Sequence, residues 1–197
     1  FFSLVNSVLL KQVSIPLADR LVGVVPAEGG RVEPNWSVSW PLVRQLENRH
    51  LSSIEGLTWI QQTRGVLSAA GESRIIPVEA VAGNYFQLLD ITPRIGRLSG
   101  PADDRDGAPG VIVLSERLWR SWFRAAPDAV GRIVRLSGLP LTVIGVAPDT
   151  FRGLTYPHLL GVEAWLPLGA AAPLLRHGSG PPSTAQSPGR VFARLAS

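Results

Sequence analysis

Short apolar runs separated by turn signals predict an α+β fold, in which short mixed or antiparallel sheets pack with short helices. Three observations carry this expectation. Hydrophobic residues make up 45% of the 197 residues, enough to build a core. Residues 132–136 and 141–146 alternate in polarity on either side of Ser137, Gly138, Leu139 and Pro140, as the arms of a β-hairpin do. Residues 116–123 instead place Leu118, Trp119, Trp122 and Phe123 at helical spacing.

In chain order, residues 1–10 are apolar apart from Ser3, Asn6 and Ser7. They are too few to span a bilayer, which takes about 20 residues. The run reads as a buried amphipathic helix or as the end of a transmembrane helix; its apolar positions cover more than one helical face, which favours the second, with residues 1–18 forming that end and a stalk. Pro16 stops it. Residues 21–25 form a first strand, and residues 27–37 a loop. Ser39 and Pro41 then start a short helix that runs to Asn48. Strands are predicted over residues 54–61, 65–69 and 74–81, with a turn at Gly71, and Pro77 places the last of these at an edge or bulge.

Asn84 is expected to cap a short helix that buries Tyr85, Phe86, Leu88 and Leu89. Gly96 and Arg97 lead into a polar loop over residues 99–109. Val111 to Leu114 form a strand buried on both faces, and Ser115 caps the helix that follows, with Glu116 in its first turn. On that helix Trp119, Trp122 and Phe123 face the core, while Arg117, Arg120 and Arg124 fall on the solvated side. A strand over residues 163–168 closes a core domain spanning residues 19–168. Residues 169–189 are rich in Gly, Pro and Ser and are expected to be a mobile loop. Residues 190–197 open with a strand that belongs to a further part of the domain, so the chain is expected to be a piece of a longer one. The lack of methionine agrees with that.

Composition narrows the chemistry. The net charge is +4, but Lys11 is the only lysine and the arginines are scattered among carboxylates, so no nucleic-acid partner is expected. With no cysteine there are no disulfides or cysteine-based zinc sites. His50, His158 and His177 lack metal-ligand spacing. Asp103, Asp104 and Asp106 form one acidic cluster; Arg105 sits inside it and the terminal glutamate of a calcium loop is missing. Asp103 and Asp104, together with Arg117, Arg120 and Arg124, remain candidate contact surfaces. No serine elbow or phosphate-binding glycine loop is present, so neither a catalytic residue nor a metal or cofactor ligand is assigned.

The central residues resemble a known family. Gly83, Asn84, Tyr85, Phe86, Leu89, Pro93, Gly96, Arg97, Asp103, Asp104, Val111 to Ser115, Leu118, Trp119, Phe123, Pro127, Gly131, Leu136, Val143 to Val146, Pro148 and Phe151 are together similar to the MacB-like periplasmic core domain. That domain occurs in ABC-transporter permeases of the macrolide-exporter and lipoprotein-release type, and this chain looks nearest to the orphan permeases that carry no ATPase on the same chain. The resemblance implies a non-catalytic extracytoplasmic domain of a bacterial inner-membrane permease, held to the membrane through the N-terminal helix. It also implies a separate cytoplasmic ATPase subunit that binds the ATP, a second permease copy, and a role in coupling ATP-driven motion to export or release. Asn84, Tyr85, Phe86, Gly96, Arg97, Trp119, Trp122, Phe123 and Gly131 are the structural motif. Two alternatives stand beside this reading: a stand-alone extracytoplasmic module that binds a peptide or glycan, and a hydrolase using the Asp103 loop.

Overall fold

The structure, a computed structural model, describes residues 2–5, 18–28, 31–32, 38, 40–47, 52–69, 71–154, 161–175 and 189–196. Strand β1 (Phe2–Val5) is followed by a 3-10 turn at Ala18–Arg20, β2 (Leu21–Glu28), β3 (Arg31–Val32) and helix α1 (Trp40–Glu47). A long hairpin of β4 (Ile54–Ala69) and β5 (Glu72–Val81) leads to the one-turn helix α2 (Tyr85–Leu88) and the short β6 (Ile95–Gly96). Next come β7 (Val111–Ser115), α3 (Glu116–Phe123), β8 (Ile133–Leu136), β9 (Leu139–Ala147), β10 (Ala164–Pro167), α4 (Leu168–Ala171) and β11 (Arg190–Leu195).

The strands join in the order β1-β2-β11-β4-β5-β10-β7-β9-β6, with β3 on β2, and β8 bridges β4 and β9. Pairing is antiparallel except for β10 with β5 and β7 with β9. Because β8 bonds to both β4 and β9, strands β4, β5, β10, β7, β9 and β8 form a closed ring, which leaves few open edges. The fold class is α+β as expected. A single mixed sheet replaces the several short sheets foreseen from the sequence.

Strand alternation sends side chains to two cores. Leu67, Ile76, Val78, Ile112, Leu114, Val134, Leu136 and Val143 point to one side, where Leu118, Trp119 and Phe123 of α3 join them. Ile60, Val81, Val113 and Trp165 point to the other, under Tyr85, Phe86, Leu89, Phe151 and Leu154. Val111 to Ser115 are therefore buried along the whole of β7, as the unbroken apolar run predicts.

Several elements differ from the sequence reading. Phe2–Val5 are an antiparallel strand on β2 rather than helix, since a short apolar run without a clear period fits either state. Residues 6–17 lie outside the described residues, and among those described no helix is long and apolar enough to cross a membrane. The strands expected over residues 54–61 and 65–69 are one strand of 16 residues, because Gln61 to Arg64 pair with Ala80, Glu79, Val78 and Pro77. Pro77 sits on an interior strand. Its carbonyl accepts from the Glu163 amide at 3.0 Å and the β10 ladder begins at Val78, so the missing N–H falls at the end of that ladder. The loop expected from residue 169 begins instead with α4 and buries Ala171 and Leu175, while residues 176–188 lie outside the described set.

Candidate functional site

On the second core, an aromatic group surrounds a carboxylate. Tyr85 meets Phe86 edge-on at 5.1 Å, and Phe151 stacks on Trp165 at 5.3 Å. Between them Glu79 is fully buried, and its Oε2 accepts the Tyr85 hydroxyl and the Trp165 indole N–H, each at 2.9 Å. Burial first, and the Glu79 charge second, push the Tyr85 hydroxyl well above the usual tyrosine range. Tyr85 therefore stays protonated and remains a donor. Asn84 does not cap α2 with its side chain; its amide donates to the Leu57 carbonyl at 2.7 Å, tying the helix to β4.

The acidic loop is an internal hub. Arg97 donates two bonds to Asp103, both at 2.7 Å, and the Gly100 amide adds a third at 2.9 Å. The Arg97 bond holds the Asp103 carboxyl below the usual range. Asp104 accepts from the Gly83 amide at 3.1 Å and the Gly169 amide at 3.0 Å, joining the starts of α2 and α4. Arg97 is placed by the close approach of β6 to β9. Gly96 opposes Gly145 at φ +67°, and a Cβ on Gly145 would lie 2.1 Å from the Arg97 carbonyl oxygen.

Helix α3 carries the remaining predicted residues. The Ser115 hydroxyl accepts the Leu118 amide at 3.1 Å, the expected cap. Trp119 is buried and donates to the Ala126 carbonyl at 2.9 Å; Phe123 is buried beside it. Trp122 is only partly buried. Its indole N–H reaches Glu72 at 2.7 Å and the Arg74 guanidinium lies 5.7 Å from its ring, which staples the helix to the β4–β5 hairpin.

The arginines are engaged rather than simply solvated. Arg117, at 2.7 Å, and Arg74 both bind the buried Glu163. Arg120, at 2.5 Å, and Arg94, at 3.6 Å, flank the buried Glu116, which also accepts the Asp149 amide at 3.0 Å. The Arg120 bond chiefly holds the Glu116 carboxyl below the ordinary range. Arg124 is exposed and ends the helix at φ +52°; Gly131, at φ +92°, donates to the Val143 carbonyl at 2.8 Å.

These groups lock elements together, with no nucleophile and base set against each other. Among the described residues, no group of three or more His, Cys, Asp or Glu is placed to hold a metal. The three histidines lie outside the described residues. Residues 1–197 match the model of the MacB-like periplasmic core domain. The chain belongs to that family. Among curated relatives, the macrolide export ATP-binding/permease protein MacB of Salmonella paratyphi A is 26% identical over 134 residues, which is 64% of this chain and 20% of that protein. A probable export ATP-binding/permease protein of Pseudomonas fluorescens is 32% identical over 48% of the chain and 14% of its own length. The chain thus spans about a fifth or less of the curated relatives it matches.

Solved structures share the fold. The crystal structure of the periplasmic region of MacB from Actinobacillus actinomycetemcomitans aligns with a TM-score of 0.67 and 19% identity, over 90% of this chain and 75% of that one. The extracellular domain of the noncanonic ABC-type transporter YknZ from Gram-positive bacteria aligns at 0.60 and 15%, over 82% and 74%. Glu79, Glu116, Glu163, Arg74 and Arg94 were absent from the sequence-predicted set. Glu79 had a visible signal, a carboxylate between Val78 and Ala80 in an apolar strand. Glu116 had one in Arg120, four residues on along α3, whereas Glu163 had none, because Arg74 and Arg117 come from distant segments.

Proposed function

We infer that this MacB-like periplasmic core domain is the extracytoplasmic, non-catalytic part of an ABC-transporter permease and relays membrane-driven motion to a substrate or partner outside the membrane. The match of the whole chain to the family carries the reading. The architecture supports it: the 3-10 turn at Ala18–Arg20, Ser53 just before β4 and Ala196 just after β11 meet at one pole, where the Ala196 amide donates to the Ser53 carbonyl at 3.0 Å. Motion entering there passes straight into β4, which runs from that pole to the opposite end of the domain over about 50 Å at 3.3 Å per residue. In this reading a cytoplasmic ATPase subunit binds and hydrolyses ATP, the domain itself holds no cofactor, and a second permease copy completes the assembly. The membrane anchor and the inner-membrane location belong to the same proposal.

The 197 residues contain no cysteine, so a single reporter is unambiguous within them. Ser137→Cys, at an exposed turn, is expected to react with a membrane-impermeant maleimide in intact spheroplasts, and the full-length protein to sediment with membranes. Labelling only after lysis, or recovery wholly in the soluble fraction, overturns the reading.

A further inference from the structure

The acidic loop holds two of its three aspartates and leaves the third. Asp103 is bound by Arg97 and the Gly100 amide, and Asp104 by the Gly83 and Gly169 amides. Asp106 is exposed, and its carboxylate makes no hydrogen bond or ion pair among the described residues. It takes the second position of a tight turn, in which the Ala108 amide donates to the Arg105 carbonyl at 3.1 Å and Gly107, at φ +76°, takes the third. A type II turn has this form, and its third position calls for glycine. The one hydrogen bond of the turn uses the Ala108 amide, so the Gly107 N–H has no acceptor among the described residues.

The residue that follows an aspartate decides what its free carboxyl can do. The side chain brings its Cγ within reach of the next residue's amide nitrogen, and closing that five-membered ring crowds any side chain on the next residue. The other aspartates and all the asparagines of the chain precede residues that carry side chains, Asp90 before Ile91 and Asp149 before Thr150 among them. Only Asp106 precedes a glycine. Nothing lies within 4 Å of where a Cβ on Gly107 would stand, so no neighbour hinders the approach. A turn held by one hydrogen bond in an exposed loop opens at little cost, which lets the main chain rotate into the attacking geometry.

We propose that the Asp106–Gly107 link is a modification site, at which the chain converts to isoaspartate and becomes a methyl acceptor for an isoaspartyl carboxyl methyltransferase. The Gly107 nitrogen bonds to Cγ of the protonated Asp106 carboxyl, and the carboxyl hydroxyl leaves with the amide proton as one water. The product is a succinimide. Water then adds to its main-chain carbonyl and breaks the bond from that carbon to the Gly107 nitrogen. The chain now runs through Cγ, one methylene longer, and the carboxylate stands on Cα. No oxidant, metal or partner enters these steps. The methyltransferase moves a methyl group from S-adenosylmethionine to that carboxylate and releases S-adenosylhomocysteine. The lengthened chain lies two residues beyond Asp104, which joins the starts of α2 and α4. The proposal stands apart from the relay reading.

The test ages the purified full-length protein in neutral buffer made with heavy-oxygen water, then maps it by mass spectrometry with electron-transfer fragmentation. Isoaspartate and heavy oxygen are expected to accumulate together at position 106, and methyl acceptance from labelled S-adenosylmethionine to rise in step with them. Both signals should be lost in Asp106→Glu, which keeps the charge and the glycine but would need a six-membered ring. Gly107→Ala should bring them down to the level of the other aspartates. An unchanged melting curve for Asp106→Glu shows that the loss is chemical and not a failure to fold. Any of four results overturns the proposal: no isoaspartate at 106, isoaspartate there without heavy oxygen, accumulation at Asp90 or Asp149 at the same rate, or methyl acceptance undiminished in Asp106→Glu.

Discussion

Arg97 and Asp103 show how a polar loop becomes a rigid one. The planar guanidinium meets both carboxylate oxygens at 2.7 Å, and the Gly100 amide completes the set. The carboxyl is held below its unfolded value of about 3.9. A depressed carboxylate contributes stability that is present above the unfolded value and is lost as pH falls through the folded value. Arg97→Gln should therefore bring the Asp103 titration, followed by carbon-detected NMR, up toward about 3.9 and shrink the acid-dependent loss of stability below about pH 4. An unmoved titration would show that Arg97 is not what holds the carboxylate. Because Arg97 is more than half exposed, the stability change itself is small. The sequence pointed to both residues, yet as part of a motif and of a candidate contact surface. Their mutual bond depends on β6 pressing Gly96 against Gly145, an approach that no local pattern announces.

Element by element, legibility follows the reach of the forces involved. Helix α3 was readable because its cap, its apolar stripe and its charged side all lie within ten residues, and the Ser115 hydroxyl and buried Trp119 and Phe123 take their expected places. The hairpin of β8 and β9 was readable for the same reason. Its turn places Ser137 at φ +48° and Gly138 at φ +87°, the two positive angles that a two-residue turn of this hand requires. The length of β4 was not, because the polar residues Gln62, Thr63 and Arg64 separate the two strands expected there. In the folded chain Gly65 makes room for β8, since a Cβ there would lie 2.7 Å from Leu136 Cδ1. Trp119 is the test of α3: it is 7% exposed and its indole N–H is bonded, so Trp119→Ala should cost about 3 to 5 kcal/mol in a denaturation curve. A loss below about 1 kcal/mol would place the helix outside the cooperative core.

At the scale of the whole molecule, β11 decides whether the fold is one unit. It inserts between β2 and β4, pairing Val191 to Arg194 with Val24 to Leu21 on one side and Arg190 to Leu195 with residues 60–54 on the other. Arg20 reinforces the junction across 175 positions of sequence, its Nε donating to the Leu195 carbonyl at 3.0 Å, and Arg194 pairs with Glu55. Among the described strands β2 has no other neighbour that leads into the ring, since β1 and β3 pair only with β2. The first strands of the domain therefore join the rest only through the last, and such non-local pairing pays its loop-closure entropy late in folding. Phe192→Asp would bury an unpaired charge among Leu21, Ile60 and Trp165 and so should loosen that junction selectively. In native-state hydrogen exchange, the amides of Leu21 to Val25 are expected to lose protection, whereas those of Ile112 to Leu114 and Val143 to Val146, inside the closed ring, keep theirs. Equal loss everywhere would show that junction and ring unfold as one, and no loss would show that β11 does not hold β2. A selective loss would leave the ring a rigid body and make the β2–β11 pair the compliant part of the fold.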